Sequence, residues 1–306
     1  MKIYSLSDLP LPFSTVIAIG AFDGLHIGHL RLLEETKKIG EEFLATPAML
    51  TFSPHPREVL RPQVPFYYLT LLDEKIEILS ALSFPCLVVL PFTRSLAELT
   101  PDIFVEQYLV DFLKVKAVVV GYNFRFGRGR SGDAEYLLKM GKKYDFMVRV
   151  VEPVEIDGIK ISSSLIRELL LKGEVERANR LLGRPYSLKG RVITGKGRGR
   201  ILGFPTANLE IPSKKLIPKE GVYAAWVDIE NKRFMGALNI GKNPTFEDKK
   251  LSIEVHILDF SEDLYNKTIK VELIKYIRGE QKFPSVEKLV EQIKKDCQVV
   301  KEVLSG

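Results

Sequence analysis

Cysteine is scarce in this chain: Cys86 and Cys297 are the only two among 306 residues. They lie far apart without CxxC or zinc-ligand spacing, which excludes a disulfide framework and a cysteine-built metal site. Each is read as filling an apolar position. Tryptophan occurs once, and histidine only at positions 26, 29, 55 and 256. No stretch approaches the roughly 18 consecutive apolar residues of a membrane-spanning helix, and the N-terminus lacks a basic segment followed by a long apolar run. A cytoplasmic protein with no membrane partner is therefore expected. Internal repeats and low-complexity tracts are missing too, and so is the GxxxxGK[ST] order of a Walker loop.

What is present describes an ordinary globular chain, 45% hydrophobic and 27% charged, long enough for two domains. The net charge of +6 suits anionic partners, either nucleic acid or nucleotides. The densest basic run, Lys196-Gly197-Arg198-Gly199-Arg200, is broken by glycines rather than laid along a helix. It reads either as a phosphate-facing loop or as a solvated hairpin tip.

The first half alternates short β-branched runs with amphipathic stretches, the pattern of a parallel sheet wrapped by helices. Strands are expected over residues 15–19, 47–52, 86–90, 117–120 and 147–151. Helices are expected over 29–39, 73–82 and 101–112, the last with Thr100 as N-cap and Pro101 at its first position. The texture then changes to alternating segments punctuated by Gly, Pro and Asn, at 221–228, 233–240, 252–258 and 268–274, as in an antiparallel barrel or sandwich. A closing helix carries Val286, Leu289, Val290, Ile293, Cys297, Val300 and Leu304 at helical spacing, capped by Ser285. The expected fold class is α/β: a Rossmann-like N-terminal domain over 1–183, then a β-barrel domain with a C-terminal helix over 184–306.

Four motifs carry chemistry. Gly20-Ala21-Phe22-Asp23-Gly24-Leu25-His26-Ile27-Gly28-His29 runs from the first apolar strand into a helix. Such a turn offers free backbone N–H groups and the positive end of a helix dipole to a phosphate. His26 and His29 suit donation of N–H bonds to oxygens whose charge grows during transfer; one capping and one packing histidine is the alternative. Ser162, Ser163 and Ser164 open a second helical pattern, with Arg167 one turn on, and can hold a polyphosphate through hydroxyls and a guanidinium fork. In the second half, Gly195-Lys196-Gly197-Arg198-Gly199-Arg200-Ile201-Leu202-Gly203 leads into Phe204-Pro205-Thr206-Ala207-Asn208. Thr206 and Asn208, two apart on an extended segment, share a side and can offer neutral oxygens to a Mg²⁺ carried by nucleotide phosphates, although Pro-Thr-Ala-Asn also reads as a plain turn.

The histidine and serine elements together resemble the nucleotidyltransferase superfamily, in which they straddle an ATP triphosphate. Thr51-Phe52-Ser53-Pro54-His55-Pro56 and Val120-Gly121-Tyr122-Asn123-Phe124-Arg125-Phe126-Gly127 narrow the resemblance to the FMN adenylyltransferase domain of the bacterial bifunctional riboflavin kinase/FAD synthetase family. The second half is similar to that family's riboflavin kinase domain through the glycine loop, Gly221-Val222-Tyr223-Ala224, Asn239-Ile240-Gly241-Lys242-Asn243-Pro244-Thr245, Glu254-Val255-His256 and Arg278-Gly279-Glu280. The resemblance implies ATP contacts at Gly20, Phe22, Asp23, Gly24, His26, Gly28, His29, Ser162–Ser164 and Arg167, with His26, His29 and Arg167 acting in catalysis. In the second half it implies ATP contacts at Gly195, Lys196, Gly197, Arg200 and Gly203. Flavin would be seated by Phe52, His55, Pro56, Asn123, Phe124, Arg125 and Phe126 in one domain and by Arg278 and Glu280 in the other. Thr206 and Asn208 would hold Mg²⁺, and Glu254 would be the general base.

The implied activity is phosphorylation of riboflavin to FMN by ATP, then adenylylation of FMN to FAD, by a monomer or weak homo-oligomer that binds no nucleic acid. A nucleotidyltransferase for another cofactor precursor is disfavoured by the kinase motifs, and an RNA-binding barrel by the want of an exposed aromatic run for base stacking. Where the family often has glycine, this chain has Asn266, which also tolerates a left-handed turn.

Overall fold

The structure is a computed structural model describing residues 1–195, 197–230, 232–242 and 251–306, without the side chains of Arg198 and Lys242. Lys196 and the Asn243-Pro244-Thr245 stretch lie outside the described residues. The chain divides into two compact units, Met1–Ser163 and Ser164–Gly306.

In the first unit, strands β1 (Lys2–Tyr4), β2 (Thr15–Ile19), β3 (Thr46–Phe52), β4 (Cys86–Leu90), β5 (Val115–Gly121) and β6 (Met147–Val151) form one parallel sheet in the order β1-β4-β3-β2-β5-β6. Both faces are covered, so the central strands read as near-continuous aliphatic runs. Alternation still sorts the side chains. Ile17, Ile19, Leu50 and Val88 pack with Phe104, Leu109, Leu137 and Met140. Ala18, Met49 and Leu87 pack with Leu33 of α1 (Ile27–Glu42) and Leu79 of α2 (Leu72–Ala81). Cys86 is buried in the first of these layers, and burial pushes its thiol up to about 11.

The chain leaves β2 for β3 and β4 on one side and returns to β5 and β6 on the other, so direction reverses between β2 and β5. The carboxyl ends of strands at such a reversal form the usual ligand crevice of open α/β sheets. The three N-terminal segments singled out above follow β2, β3 and β5 at that end.

In the second unit, α3 (Ser163–Lys172) and α4 (Val175–Leu182) precede a closed antiparallel barrel. Its strands are β7 (Tyr186–Ile193), β8 (Thr206–Glu210), β9 (Gly221–Ile229), β10 (Lys232–Lys242), β11 (Leu251–Ile257) and β12 (Thr268–Arg278), ordered β7-β8-β11-β10-β9-β12. Closure removes the exposed edges that an open sheet would leave. Asn179 ties α4 to the barrel, its amide donating to the Leu273 carbonyl at 2.8 Å and accepting from the Tyr186 N–H at 2.7 Å. The last helix, α5 (Val286–Ser305), starts at Ser285, whose hydroxyl accepts from the Lys288 N–H. Asp296 on α5 receives the Arg278 guanidinium in a fork, Nε to Oδ1 at 3.0 Å and Nη2 to Oδ2 at 2.7 Å.

Several expected elements lengthen, as 268–274 does to Thr268–Arg278, and β1 and β7 are among the strands not anticipated. β1 is only three residues long, too short for a periodic signal. β7 begins at Tyr186, directly after the Arg184-Pro185 interruption. The segment from Pro101 is helical and capped by Thr100 as expected, but it runs in π-helical form over Phe104–Phe112. Asn266 takes φ 63°, the left-handed conformation anticipated for it.

Candidate functional site

The turn after β2 is bent hard. Gly24 has φ 90°, and Phe22 and Leu25 sit at φ 50° and 41°, a region costly for bulky side chains. Burial of Phe22 and Leu25 holds the bend. Asp23 is buried without an ionic role toward solvent: its Oδ1 accepts the Leu69 N–H at 2.9 Å and the Thr70 N–H at 3.2 Å. Its carbonyl accepts the Ser163 hydroxyl at 2.7 Å, so the histidine turn and the serine motif, 140 residues apart, are joined directly.

His26 caps α1, its Nδ1 accepting the His29 N–H at 3.3 Å. In the neutral ring this puts the proton on Nε2. The His26 and His29 rings stack at 3.6 Å between centroids and 15° between planes, and Phe22 meets His29 edge-on at 5.2 Å. The capping alternative is seen for His26, and the two stacked rings sit at the positive end of a 16-residue helix.

At the end of β3, His55 caps a short helix through Nδ1 and stacks on Phe66 at 4.2 Å. Phe66 in turn meets Tyr68 edge-on, and the Tyr68 hydroxyl accepts from the His55 N–H and donates to Glu58. Burial pushes the Tyr68 phenol up to about 12. Phe52 meets Phe92 edge-on, and Pro56 opens the His55 helix. At the end of β5, Asn123 is exposed and Phe124 half-buried, stacked on Phe126 at 5.4 Å. Phe126 itself is in the core against Phe104 and Tyr136, and Arg125 is paired with Asp133 at 2.7 Å. Ser164 and Arg167 lie on the first turns of α3, in the second unit.

The barrel site is set by register. Glu254 on β11 lies directly opposite Asn208 on β8 and Asn239 on β10, and Thr206 lies two residues from Asn208 on the same side. The intervening Ala207, Val255 and Leu238 are buried on the other face. Thr206 donates its hydroxyl to Glu254 Oε2 at 3.2 Å and Ser252 donates to Oε1 at 2.7 Å. The glycine loop comes down on this row: a Cβ at Gly195 would collide with the Asn208 side-chain amide. Gly203 and Arg200 close the loop through Gly203 N–H to the Arg200 carbonyl at 3.2 Å. His256 donates its Nδ1–H to the Pro205 carbonyl at 2.8 Å and packs edge-on against Phe204, fixing the segment that leads into Thr206.

Glu280 sits where its carboxylate would be struck by a Cβ on Gly241, next to Asn239. Arg278, by contrast, spends its fork on Asp296 and its remaining Nη1 on the Gly279 carbonyl. It braces the strand end that carries Glu280. Asn239 and Ser252 were not expected as site residues; Asn239 stands inside a quoted motif, but only cross-strand pairing puts it beside Glu254. The hydroxyl of Thr206, the amide oxygen of Asn208 and the nearby carboxylate are hard oxygen donors under a cradle with no room for a Cβ at Gly195, a set that fits Mg²⁺. Among the described residues no group of three or more His, Cys, Asp or Glu could hold a metal by itself.

Comparison with known proteins follows the same division. The FAD synthetase family model matches residues 10–165 and the riboflavin kinase model residues 182–304. The bifunctional riboflavin kinase/FMN adenylyltransferase of Listeria monocytogenes is 42% identical over 92% of this chain and 90% of its own length. That of Bacillus subtilis is 40% identical over 93% and 90%. A crystal structure described as a macrolide-efflux protein from Streptococcus pneumoniae superposes with TM-score 0.90 at 34% identity over 98% of each chain. Among the described residues, no helix is long and apolar enough to cross a membrane. The chain belongs to the bifunctional riboflavin kinase/FMN adenylyltransferase family, with the FAD synthetase region first and the riboflavin kinase region second.

Proposed function

We propose that this chain converts riboflavin to FMN in its barrel and FMN to FAD at the strand ends of its parallel sheet, with ATP as the second substrate of both steps. The observation that carries the reading is the barrel row Asn208–Glu254–Asn239 with Thr206 beside it, a base between amides under a glycine loop. The functional domains are assigned as 1–183 and 184–306, and the reaction is placed in the cytoplasm.

In the barrel, the riboflavin 5′-hydroxyl oxygen forms a bond to the γ-phosphorus as the bond to the β-phosphate oxygen breaks and ADP leaves. Glu254 takes the hydroxyl proton. Ser252 and Thr206 hold its two oxygens, so the acceptor is oriented before substrate arrives. Thr206 and Asn208 are the residues that would hold Mg²⁺, which when bound neutralises phosphate charge. The glycine loop lets backbone N–H groups approach the nucleotide, and Glu280 lies toward the flavin.

In the first unit, an FMN phosphate oxygen attacks the α-phosphorus of ATP and pyrophosphate leaves, with no net proton to move. Catalysis here is positioning and charge stabilisation. His26 Nε2–H, His29 and the N–H groups at the head of α1 serve the phosphates, with Ser162 and Ser163 beside them in the same unit. Asn123, Phe124 and the His55–Phe66 stack seat the flavin. Chromatography of flavin products after incubation with riboflavin, ATP and Mg²⁺ tests the whole reading. FMN followed by FAD is expected; absence of both would reject it.

A further inference from the structure

Lys75 is a lysine buried to 5% exposure in α2, inside the first unit's core rather than at its surface. Burying an ammonium is costly unless its donors are matched. Its Nζ donates to the Ala21 carbonyl at 2.8 Å and to the Thr51 hydroxyl oxygen at 3.2 Å. The Thr51 hydroxyl donates to the same Ala21 carbonyl at 3.1 Å, and Thr51 is fully buried. Ala21 directly precedes the left-handed Phe22, two residues past the end of β2, where the chain starts the bend that ends at His26.

The same bend is held from two other directions, by the Leu69 and Thr70 N–H groups on Asp23 Oδ1 and by the Ser163 hydroxyl on the Asp23 carbonyl. Without the lysine, Ala21 O would keep only the Thr51 bond, and the strained φ values of Phe22 and Leu25 would lose the anchor from which they are measured. Burial holds the ammonium well below its ordinary range, at about 8, and the Asp23 carboxylate works against that shift.

We propose that Lys75, with Thr51, is a positioning residue for adenylyl transfer: it clamps the Ala21 carbonyl and thereby sets the angle at which the Asp23–His29 turn presents its donors to the nucleotide. This rests on the assignment of adenylyl transfer to the first unit. A pure packing role is a poor use of a charge, because methionine fills the same volume without desolvating an ion. A clamp needs the donor. The histidines and N–H groups act on charge that grows in the transition state, so loosening the turn lowers kcat more than it raises KM.

The test uses the full-length protein, assayed separately for FMN formation from riboflavin and FAD formation from supplied FMN. Lys75→Met is expected to lower kcat for FAD formation about 10- to 100-fold, the scale of a lost charge-assisted bond and a displaced catalytic group. KM for ATP and FMN should stay within about threefold, and FMN formation should be unchanged. Thr51→Val should lower the same kcat, and Thr51→Ser should restore it. Wild-type kcat in a folded Lys75→Met protein, or equal loss of both activities, overturns the inference. If Lys75→Met does not fold, the Thr51 pair decides: equal FAD synthesis by the valine and serine variants overturns it. Failure of the wild-type protein to make FAD from FMN would instead reject the underlying assignment.

Discussion

Replacing Glu254 with Gln isolates the kinase chemistry. Glu254 is half-buried, and its two oxygens accept hydroxyl bonds from Ser252 at 2.7 Å and Thr206 at 3.2 Å. Both partners are rotors. The Ser252 or Thr206 hydroxyl can turn to accept from the new amide, so shape and bonding survive and stability should change by no more than about 0.5 kcal/mol. What disappears is the group proposed to take the riboflavin proton. Loss of a general base costs about 10²–10⁴-fold, or roughly 3–5.5 kcal/mol of barrier. The loss should fall on kcat, because the substitution leaves the proposed substrate-binding groups, Asn208, Asn239, the glycine loop and Glu280, in place. FAD formation from supplied FMN should proceed at the wild-type rate. Separate chromatographic assays with riboflavin and with FMN read both arms. A Gln variant that phosphorylates riboflavin at the wild-type rate removes Glu254 from the mechanism.

Replacing His26 and His29 together with Ala should stop FAD formation while FMN accumulates; equal loss of both products in a folded protein would contradict the placement of the histidines. Gly195→Ala drives a methyl into the Asn208 amide and should cut riboflavin phosphorylation at least about tenfold, with FAD formation from FMN intact as the internal control. Asp296→Ala removes the carboxylate that takes the Arg278 fork and should destabilise the second unit by about 3–5 kcal/mol, read by denaturant titration. Lys75 binds its proton less tightly folded, at about 8, than unfolded, at 10.5, so the unfolded chain holds more protons between those values and stability rises with pH there. The unfolding midpoint of wild type relative to Lys75→Met should accordingly climb between pH 8 and 10.5, and a pH-independent difference would place the ammonium in water.

Strong, local signals were legible in the sequence. The aliphatic runs at 15–19 and 86–90 are strands as expected because a strand covered on both faces has to be apolar throughout. Thr100, Pro101 and Ser285 mark helix starts because caps are local bonds. The period-2 side shared by Thr206 and Asn208 likewise needs no partner to be read. With the resemblance carried by the motifs, the sequence by itself determined the α/β sheet followed by a barrel and the family.

Tertiary structure decided which of those residues stand together. Asn239 joins Glu254 through barrel register, which no one-dimensional spacing encodes. Ser163 meets Asp23 across 140 residues, and Lys75 reaches Ala21 across 54. The Arg278 guanidinium is paired with Asp296 on α5, a partner 18 residues on that looks in sequence like one more helix charge. The physical reason is common to all of these. Caps and periodicity depend on neighbours within one or two turns, whereas a buried polar group takes whatever partner the packed chain brings to it, and only the folded chain specifies that partner.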